Sequence, residues 1–545
     1  MPDTENANAQ QAMPEDPDTE NVGNTDDSAD TDASATMLDA LLIEKPIPPC
    51  CIVIFGATGD LTHRKLIPAL FSLEAQGLLP DKMKIVGFAR RDFSDHSFRD
   101  ELQSSLQEFA PDLWKESQAA WHKFARRVVF HRSDFDNAQG FTWLKERLDK
   151  FDRSEGTAGN RLFYLATPPT TYTTVIQQLG TAGLVKAGGE ADSVGFTRII
   201  VEKPFGSDLS SARALNAELK KVFDEDQIYR IDHYLGKETV QNIFVFRFAN
   251  ILFEPLWNAK YVDNVQVTVA ETVGVELRAG YFDQAGELRD MVQSHALQML
   301  ALVAMEPPNT LSASDIRDEK AKVLRAIKPV LDNDCNACVV RGQYDAGKLG
   351  DKDVPAYRDE PNVPKDSVTD SFVALKLEIQ NWRWAGVPFY VRAGKRMPER
   401  VTEVNITFKD VPRVLLANET DDNAEPNVIT IRVQPNEGIS MRLGAKPPGQ
   451  KTVVRPVDMN FTYGTSFGQR IHDAYERLIM DALIGDAALF TRDDEVEAEW
   501  GLITPILEHW AKTPPTDLPN YAAGSWGPEA ADKMVTEGGG TWWNR

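Results

Sequence analysis

Three stretches of this 545-residue chain hold side chains that could do chemistry together. In Ile228-Tyr-Arg-Ile-Asp-His-Tyr-Leu-Gly-Lys-Glu238, His233 and Lys237 are four apart, so they share one face if the segment is helical. An imidazole, the Tyr234 phenol and an ammonium on one face suit a phosphate monoester. The competing reading is an ordinary helix start, with Asp232 as N-cap and Gly236 as a flexible position. Lys203 lies in Glu202-Lys-Pro-Phe-Gly206, after the apolar run Arg198–Val201. A lysine closing a parallel strand faces the crevice where such sheets bind ligands; otherwise it is a surface lysine before a Pro-Gly turn. His295, in Arg289-Asp-Met-Val-Gln-Ser-His-Ala-Leu-Gln-Met-Leu300, has Met291 and Met299 four residues to either side. A histidine there is either a satisfied core residue or a general base, a task imidazole suits near neutral pH. As a base it needs a carboxylate to orient it, and Asp232 is the candidate.

A fourth stretch, Ile54-Phe-Gly-Ala-Thr-Gly-Asp-Leu61, joins an apolar strand to a helical pattern. Gly56 and Gly59 permit a tight turn and close backbone approach, and the helix N-terminus offers free N–H groups and a positive dipole end, which suits a pyrophosphate. The spacing is G-x-x-G rather than the fuller G-x-G-x-x-G, so a purely structural turn competes until context is weighed. A strand before and a helix after, at the start of the first folded domain, favour dinucleotide binding through Gly56, Ala57, Thr58, Gly59, Asp60 and Leu61. The next strand, Lys84–Phe88, ends in Ala89-Arg90-Arg91. Guanidiniums there suit the 2′-phosphate of NADP, and Asp92 keeps NAD as a weaker alternative.

Elements must hold these groups in place. Cys50–Phe55 is a continuous apolar run, as in a strand covered on both faces. A helical pattern over Asp60–Leu73 follows. Strand-like runs at Lys84–Phe88, Arg161–Ala166 and Arg198–Glu202 alternate with helical patterns such as Phe98–Phe109 and Thr170–Leu179. This alternation predicts a Rossmann-like, doubly wound parallel sheet. Beyond about residue 233 the pattern becomes strand alternation, at Asn264–Ala270, Phe372–Ile379, Val401–Phe408 and Val428–Val433. That predicts an α+β domain with a large, mainly antiparallel sheet, joined by helices over 289–305 and 471–484 and a long loop over 351–370. The expected division is a disordered acidic tail over 1–44, a dinucleotide-binding domain over 45–233, and a substrate and oligomerisation domain over 234–545.

Charge excludes some functions. The chain carries 82 acidic and 59 basic residues, a formal net charge of −23, and eleven of the acidic residues fall within residues 1–40, which hold no Lys or Arg. Such a surplus argues against nucleic-acid binding, which needs a basic footprint, and gives no support for docking on an anionic membrane. No apolar run approaches the roughly 18 residues of a membrane span. The N-terminus lacks a signal-peptide pattern and four cysteines make no disulfide framework, so the expected location is cytoplasmic. Cys335-Asn-Ala-Cys338 lacks the second ligand pair of a zinc site, and no metal is expected. It and Cys50-Cys51 are read as coincidental pairs, with redox regulation the alternative.

The strings GATGDLTHRKLIPAL, IVEKPFG, RIDHYLGKE, GYFDQAGELRDMVQSHALQMLALVAME, RDEKAKVL, GVPFYVRAGK, IRVQPNEGI and DAYERLI, in that order, resemble the glucose-6-phosphate dehydrogenase family in its bacterial form. The resemblance implies oxidation of carbon 1 of glucose 6-phosphate to 6-phosphogluconolactone with hydride transfer to NADP, the first step of the oxidative pentose phosphate pathway. It implies His295 as base and Asp232 as its partner, with His233, Tyr234 and Lys237 holding the phosphate. Lys203 would bridge sugar and cofactor ahead of a cis Pro204 peptide. Glu271, Asp290, Lys395 and Arg400 complete the substrate set, and Lys65 and Arg90 join the cofactor set. Where the family often has Gln-Asn-His before the base, this chain has Ser294. The resemblance also implies a homodimer or homotetramer, with an assembly or activator protein as a further partner. A catalytically inactive dinucleotide-binding regulator, or a dehydrogenase for another acceptor or hexose phosphate, are the alternatives; the presence of Lys203, His233 and His295 together disfavours the inactive one.

Overall fold

The structure, a computed structural model, describes residues 45–186, 195–411, 425–449, 454–463 and 473–544. Ile47–Arg545 form one compact unit. The expected acidic tail and the first two residues of the helix predicted over 471–484 lie outside the described residues.

Six strands come first: β1 (Cys50–Phe55), β2 (Met83–Ala89), β3 (Val128–Arg132), β4 (Arg161–Leu165), β5 (Thr197–Val201) and β6 (Ile228–Ile231). With β18 (Phe490–Thr491) they form a seven-stranded sheet in the order β18-β6-β5-β4-β1-β2-β3. Every pair is parallel except β6–β18. All six residues of β1 are buried, which is why its sequence is apolar without alternation.

The second sheet has eight strands: β7 (Val262–Ala270), β8 (Val339–Gly342), β12 (Phe372–Glu378), β13 (Pro388–Gly394), β14 (Val401–Phe408), β15 (Val428–Gln434), β16 (Gly438–Ala445) and β17 (Arg455–Thr462). They run in the order β17-β16-β15-β14-β7-β13-β12-β8, antiparallel except for the parallel pair β7–β13. Two short ribbons pair β10 (Gly347–Leu349) with β11 (Lys352–Val354), and β9 (Tyr344–Asp345) with β19 (Tyr521–Ala522). The segment 351–370, read as a loop, is otherwise irregular apart from a turn at Tyr357–Asp359. On β7 the alternating Val265, Val267 and Val269 are buried, but so are Gln266 and Thr268 on the opposite face. The C-terminal segment covers that face. Gln266 donates to the Thr541 carbonyl at 2.9 Å and accepts from the Trp543 N–H at 2.8 Å, and Trp542 packs with Tyr390, Met534 and Val535.

Three local expectations change. His233–Gly236 is a turn, not part of a helix; Lys237 is the N-cap of the helix Glu238–Phe248. The Asp232 carboxylate accepts from the Tyr234 N–H at 2.9 Å, which closes the turn locally. After the glycine turn, Thr62–Leu66 is a π-helical stretch that continues as the α-helix Ile67–Ala75. The predicted helix around His295 is likewise π-helical over Leu288–Ala296 before Leu297–Ala304 becomes α-helical. Such wide turns recur where a helix must present side chains to a site. No helix among the described residues is long and apolar enough to cross a membrane.

Candidate functional site

Both sheets deliver several of the predicted residues at strand C-termini. Gly56 follows β1, Arg90 follows β2, Lys203 follows β5 and Asp232 follows β6. In the second sheet the parallel pairing sets Ala270 opposite Gly394. Glu271 and Lys395 therefore emerge side by side, and the Glu271 N–H donates to the Gly394 carbonyl at 2.9 Å. Open parallel sheets bind ligands at this edge.

At the centre Asp232, His295 and Lys203 stand in line. His295 Nδ1 lies 2.6 Å from Asp232 Oδ1, and both side chains are 2% exposed. His295 Nε2 lies 3.2 Å from Lys203 Nζ. An ammonium has only protons to give, so Nε2 is the bare nitrogen and Nδ1 carries the proton donated to Asp232. Burial alone would raise the Asp232 carboxyl, but the His295 imidazole beside it and their hydrogen bond bring it down to about 2. Burial pushes His295 below its ordinary value, with Asp232 pulling the other way. His295 is thus neutral near pH 7 and able to accept a proton at Nε2. Lys203 is itself held by Asp290, with Nζ 3.1 Å from Oδ1 and a bond to the Asp290 carbonyl. The Lys203–Pro204 peptide is cis.

Beside this line sits a cationic cluster. The His233 ring is 4.6 Å from that of His295, and the Tyr234 ring stacks on His295 at 4.3 Å. Lys237 lies 4.8 Å over the Tyr234 ring and donates to Gln434 Oε1 at 2.6 Å; Arg400 reaches the same oxygen at 3.4 Å. Burial lowers His233, and His295 adds to the effect; burial likewise lowers Lys237. Gln434, which also donates to Thr402 Oγ1 at 3.0 Å, was missed in the sequence. It lies in a quoted motif, but no spacing links it to Lys237, 197 residues away.

Lys395 donates to Glu271 and lies 3.8 Å from Glu287 Oε2. Burial would lower its ammonium, yet Glu287, Glu271 and Asp290 together hold it above the ordinary range. Burial would raise Asp290, but Lys203 and Lys395 hold it well below the usual carboxylate range. Glu287 was not singled out in the sequence, nor was Glu202. Glu202 accepts from the Tyr164 hydroxyl at 2.6 Å, and burial pushes it up to about 7.

The glycine turn borders the same edge. Gly56 has φ +83°, and a Cβ there would meet the Ala166 carbonyl oxygen at 2.2 Å. Its N–H and that of Ala57 bond to the Phe88 carbonyl at 3.0 and 3.4 Å, tying the turn to the end of β2, two residues before the exposed Arg90. Thr58 is half-buried. Asp60 pairs with Arg64 at 2.6 Å, and Lys65 pairs with Asp473 at 3.0 Å. Leu61 packs against the core that includes Ile52 and Ile54. Backbone that only glycine can adopt, at the entry to a helix, makes a cradle fit for a pyrophosphate.

Asp232, His233 and His295 offer ligand atoms within 4.8 Å of one another. The Lys203 ammonium already occupies the open side of His295, however, and its charge opposes a second cation there. All four cysteines are free. Burial pushes Cys51 and Cys335 up to about 11, so both are thiols near neutral pH, which does not favour the redox reading.

The family described as "Glucose-6-phosphate dehydrogenase, NAD binding domain" matches residues 53–242, and "Glucose-6-phosphate dehydrogenase, C-terminal domain" matches residues 244–543. The glucose-6-phosphate 1-dehydrogenase of Chlamydia pneumoniae is 46% identical over 497 residues, 91% of this chain and 96% of that protein. That of Aggregatibacter actinomycetemcomitans is 46% identical over 495 residues, 90% and 97% respectively. A solved glucose-6-phosphate dehydrogenase in complex with glucose 6-phosphate superposes with a TM-score of 0.82 at 36% identity, covering 92% of this chain and all of that one. With a nucleotide-binding sheet, a larger antiparallel sheet and these matches along nearly the whole folded chain, the protein belongs to the glucose-6-phosphate dehydrogenase family.

Proposed function

We propose that the chain oxidises glucose 6-phosphate to 6-phosphoglucono-1,5-lactone, with NADP as acceptor. The observation that carries this is the Asp232–His295–Lys203 line, which leaves a bare imidazole nitrogen beside a cationic cluster and near a dinucleotide turn. His295 Nε2 takes the proton of the carbon-1 hydroxyl, and the Asp232 carboxylate stabilises the imidazolium that forms. An NADP held at the glycine turn would supply the acceptor for the hydride that leaves carbon 1 as that hydroxyl becomes a carbonyl. Lys203 gives up its bond to Nε2 as the hydroxyl arrives and spans sugar and cofactor. His233, Tyr234, Lys237 and Arg400 hold the 6-phosphate; Glu271, Asp290 and Lys395 meet the sugar hydroxyls. Residues 56–61 with Lys65 and Arg90 hold the dinucleotide, and the Arg90 guanidinium favours the 2′-phosphate of NADP over NAD.

The same reading divides the folded chain into 45–233 for cofactor and 234–545 for substrate and assembly, working in the cytoplasm as a homodimer or homotetramer. The exposed Leu443, Val457 and Met459 on β16 and β17 support burial of that sheet edge between copies. The test is reduced-nicotinamide absorbance with glucose 6-phosphate, comparing NADP with NAD in wild type and Arg90→Ala. Turnover favouring NADP, with the preference weakened by the substitution, is expected. No signal with either cofactor would overturn the reading.

A further inference from the structure

Around the turn that bears His295 lies a polar cluster that the proposed chemistry does not use. Glu495, Glu499, Lys320 and Gln298 are at most 1% exposed, and Gln293 is 3% exposed. They come from the helices Leu288–Ala296 and Leu297–Ala304, Ala313–Ala326 and Asp493–Lys512. Lys320 Nζ lies 2.9 Å from Glu495 Oε2 and donates to Gln298 Oε1 at 2.9 Å. Gln298 Nε2 donates to Glu499 Oε1 at 2.6 Å and approaches Glu495 Oε2 at 3.4 Å; Gln293 Nε2 reaches Glu499 Oε2 at 3.4 Å. Each buried polar group placed without need would cost stability.

The arrangement has a direction. Gln293 is two residues before His295 and Gln298 three after, five apart. Gln293 lies in the π-helical stretch and Gln298 in the α-helix that continues it, and both amides end on the one Glu499 carboxyl. The next residue, Trp500, donates its indole N–H to the Phe205 carbonyl at 2.9 Å, two residues after Lys203. Two consecutive residues of one helix thus fix the turn bearing His295 and the loop bearing Lys203. The charges are uneven, with one ammonium against two buried carboxyls. Glu495 is satisfied by Lys320 and by the Arg492 N–H at 3.0 Å, and among the described residues no cation forms an ion pair with Glu499. Burial, with Glu495 beside it, holds Glu499 well above the usual carboxylate range, and the charge of Asp232 acts in the same direction.

We propose that Glu499 is a positioning residue that clasps Gln293 and Gln298 and so aims His295 Nε2 at the reacting hydroxyl. This rests on the reading of His295 as the base. The groups facing Glu499 are Glu495 on its own helix, Lys320, the two glutamines and, through its field, Asp232.

The test uses the full chain with NADP and glucose 6-phosphate. Glu499→Gln keeps the shape but leaves one acceptor oxygen for the two glutamine amides, so kcat is expected to fall less than in Glu499→Leu. Glu499→Leu releases both amides, and kcat is expected to fall by about tenfold to a hundredfold, the cost of a small misplacement of a reacting group. KM for glucose 6-phosphate stays near wild type in both. Gln298→Met tests the same clasp where Glu499→Leu fails to fold, with the same kcat loss expected. An undiminished kcat in the folded leucine or methionine variant overturns the assignment, as does a Glu499→Gln protein as impaired as Glu499→Leu. Wild type inactive with both cofactors overturns the functional reading and this inference with it; active wild type with unaffected variants overturns only the inference.

Discussion

Replacing Asp232 by Asn tests the charge of the dyad while leaving its shape. Asp232 Oδ1 faces His295 Nδ1 at 2.6 Å and accepts from the Tyr234 N–H at 2.9 Å. An asparagine that keeps its oxygen on both donors preserves the imidazole tautomer and the turn, and removes only the negative charge. Unit charges about 4 Å apart at an effective dielectric of about 20 attract by roughly 4 kcal/mol. At about 1.4 kcal/mol per factor of ten, kcat is expected to fall about 10³-fold, since that attraction stabilises the imidazolium formed as the hydroxyl proton leaves. The pH profile adds a sign. Asp232 raises the His295 pKa against the lowering by burial, so removing it lowers that pKa further. The acid limb of kcat therefore moves to lower pH even as the plateau drops. Steady-state reduced-nicotinamide absorbance from about pH 5 to about pH 9, the span of an imidazole titration, measures both. A kcat within about tenfold of wild type, or a limb displaced to higher pH, would refute the dyad argument.

Two further outcomes follow from the same geometry. Lys237→Ala removes the ammonium bound to Gln434 at 2.6 Å and is expected to raise KM for the sugar phosphate severalfold or more with a smaller change in kcat; an unchanged KM takes Lys237 out of the phosphate site. Gly56→Ala would set a Cβ 2.2 Å from the Ala166 carbonyl in a left-handed backbone, so KM for NADP is expected to rise and Tm to fall, and wild-type values of both would show that the turn tolerates a side chain.

Much of the fold was legible because burial writes itself into composition. β1 is covered on both faces and reads as one apolar run; the strand-turn-helix around Gly56 follows directly. His233 and Lys237 were brought together for the wrong reason, since a turn closed by Asp232, not helical spacing, joins them. The strand β6 just before them is only four residues long, too short for its period to register. Gln434, Glu287 and Glu499 were invisible for a common cause. Each is a polar residue on an element whose buried face depends on what packs against it from a distant part of the chain. The parallel pairing of β7 with β13, which sets Glu271 beside Lys395, is non-local in the same way. The pairing of Asp232 with His295 across 63 residues was foreseeable only because a base needs an orienting carboxylate.

The central claim is that His295 takes the proton of the carbon-1 hydroxyl. Its most direct test is His295→Asn, with kcat from reduced-nicotinamide absorbance and glucose 6-phosphate affinity from titration calorimetry on the same preparation. The expected kcat is lower by about 10²–10⁴-fold, the usual worth of a general base, with sugar phosphate affinity retained. A variant that binds its substrate and still turns over within about tenfold of wild type would contradict it.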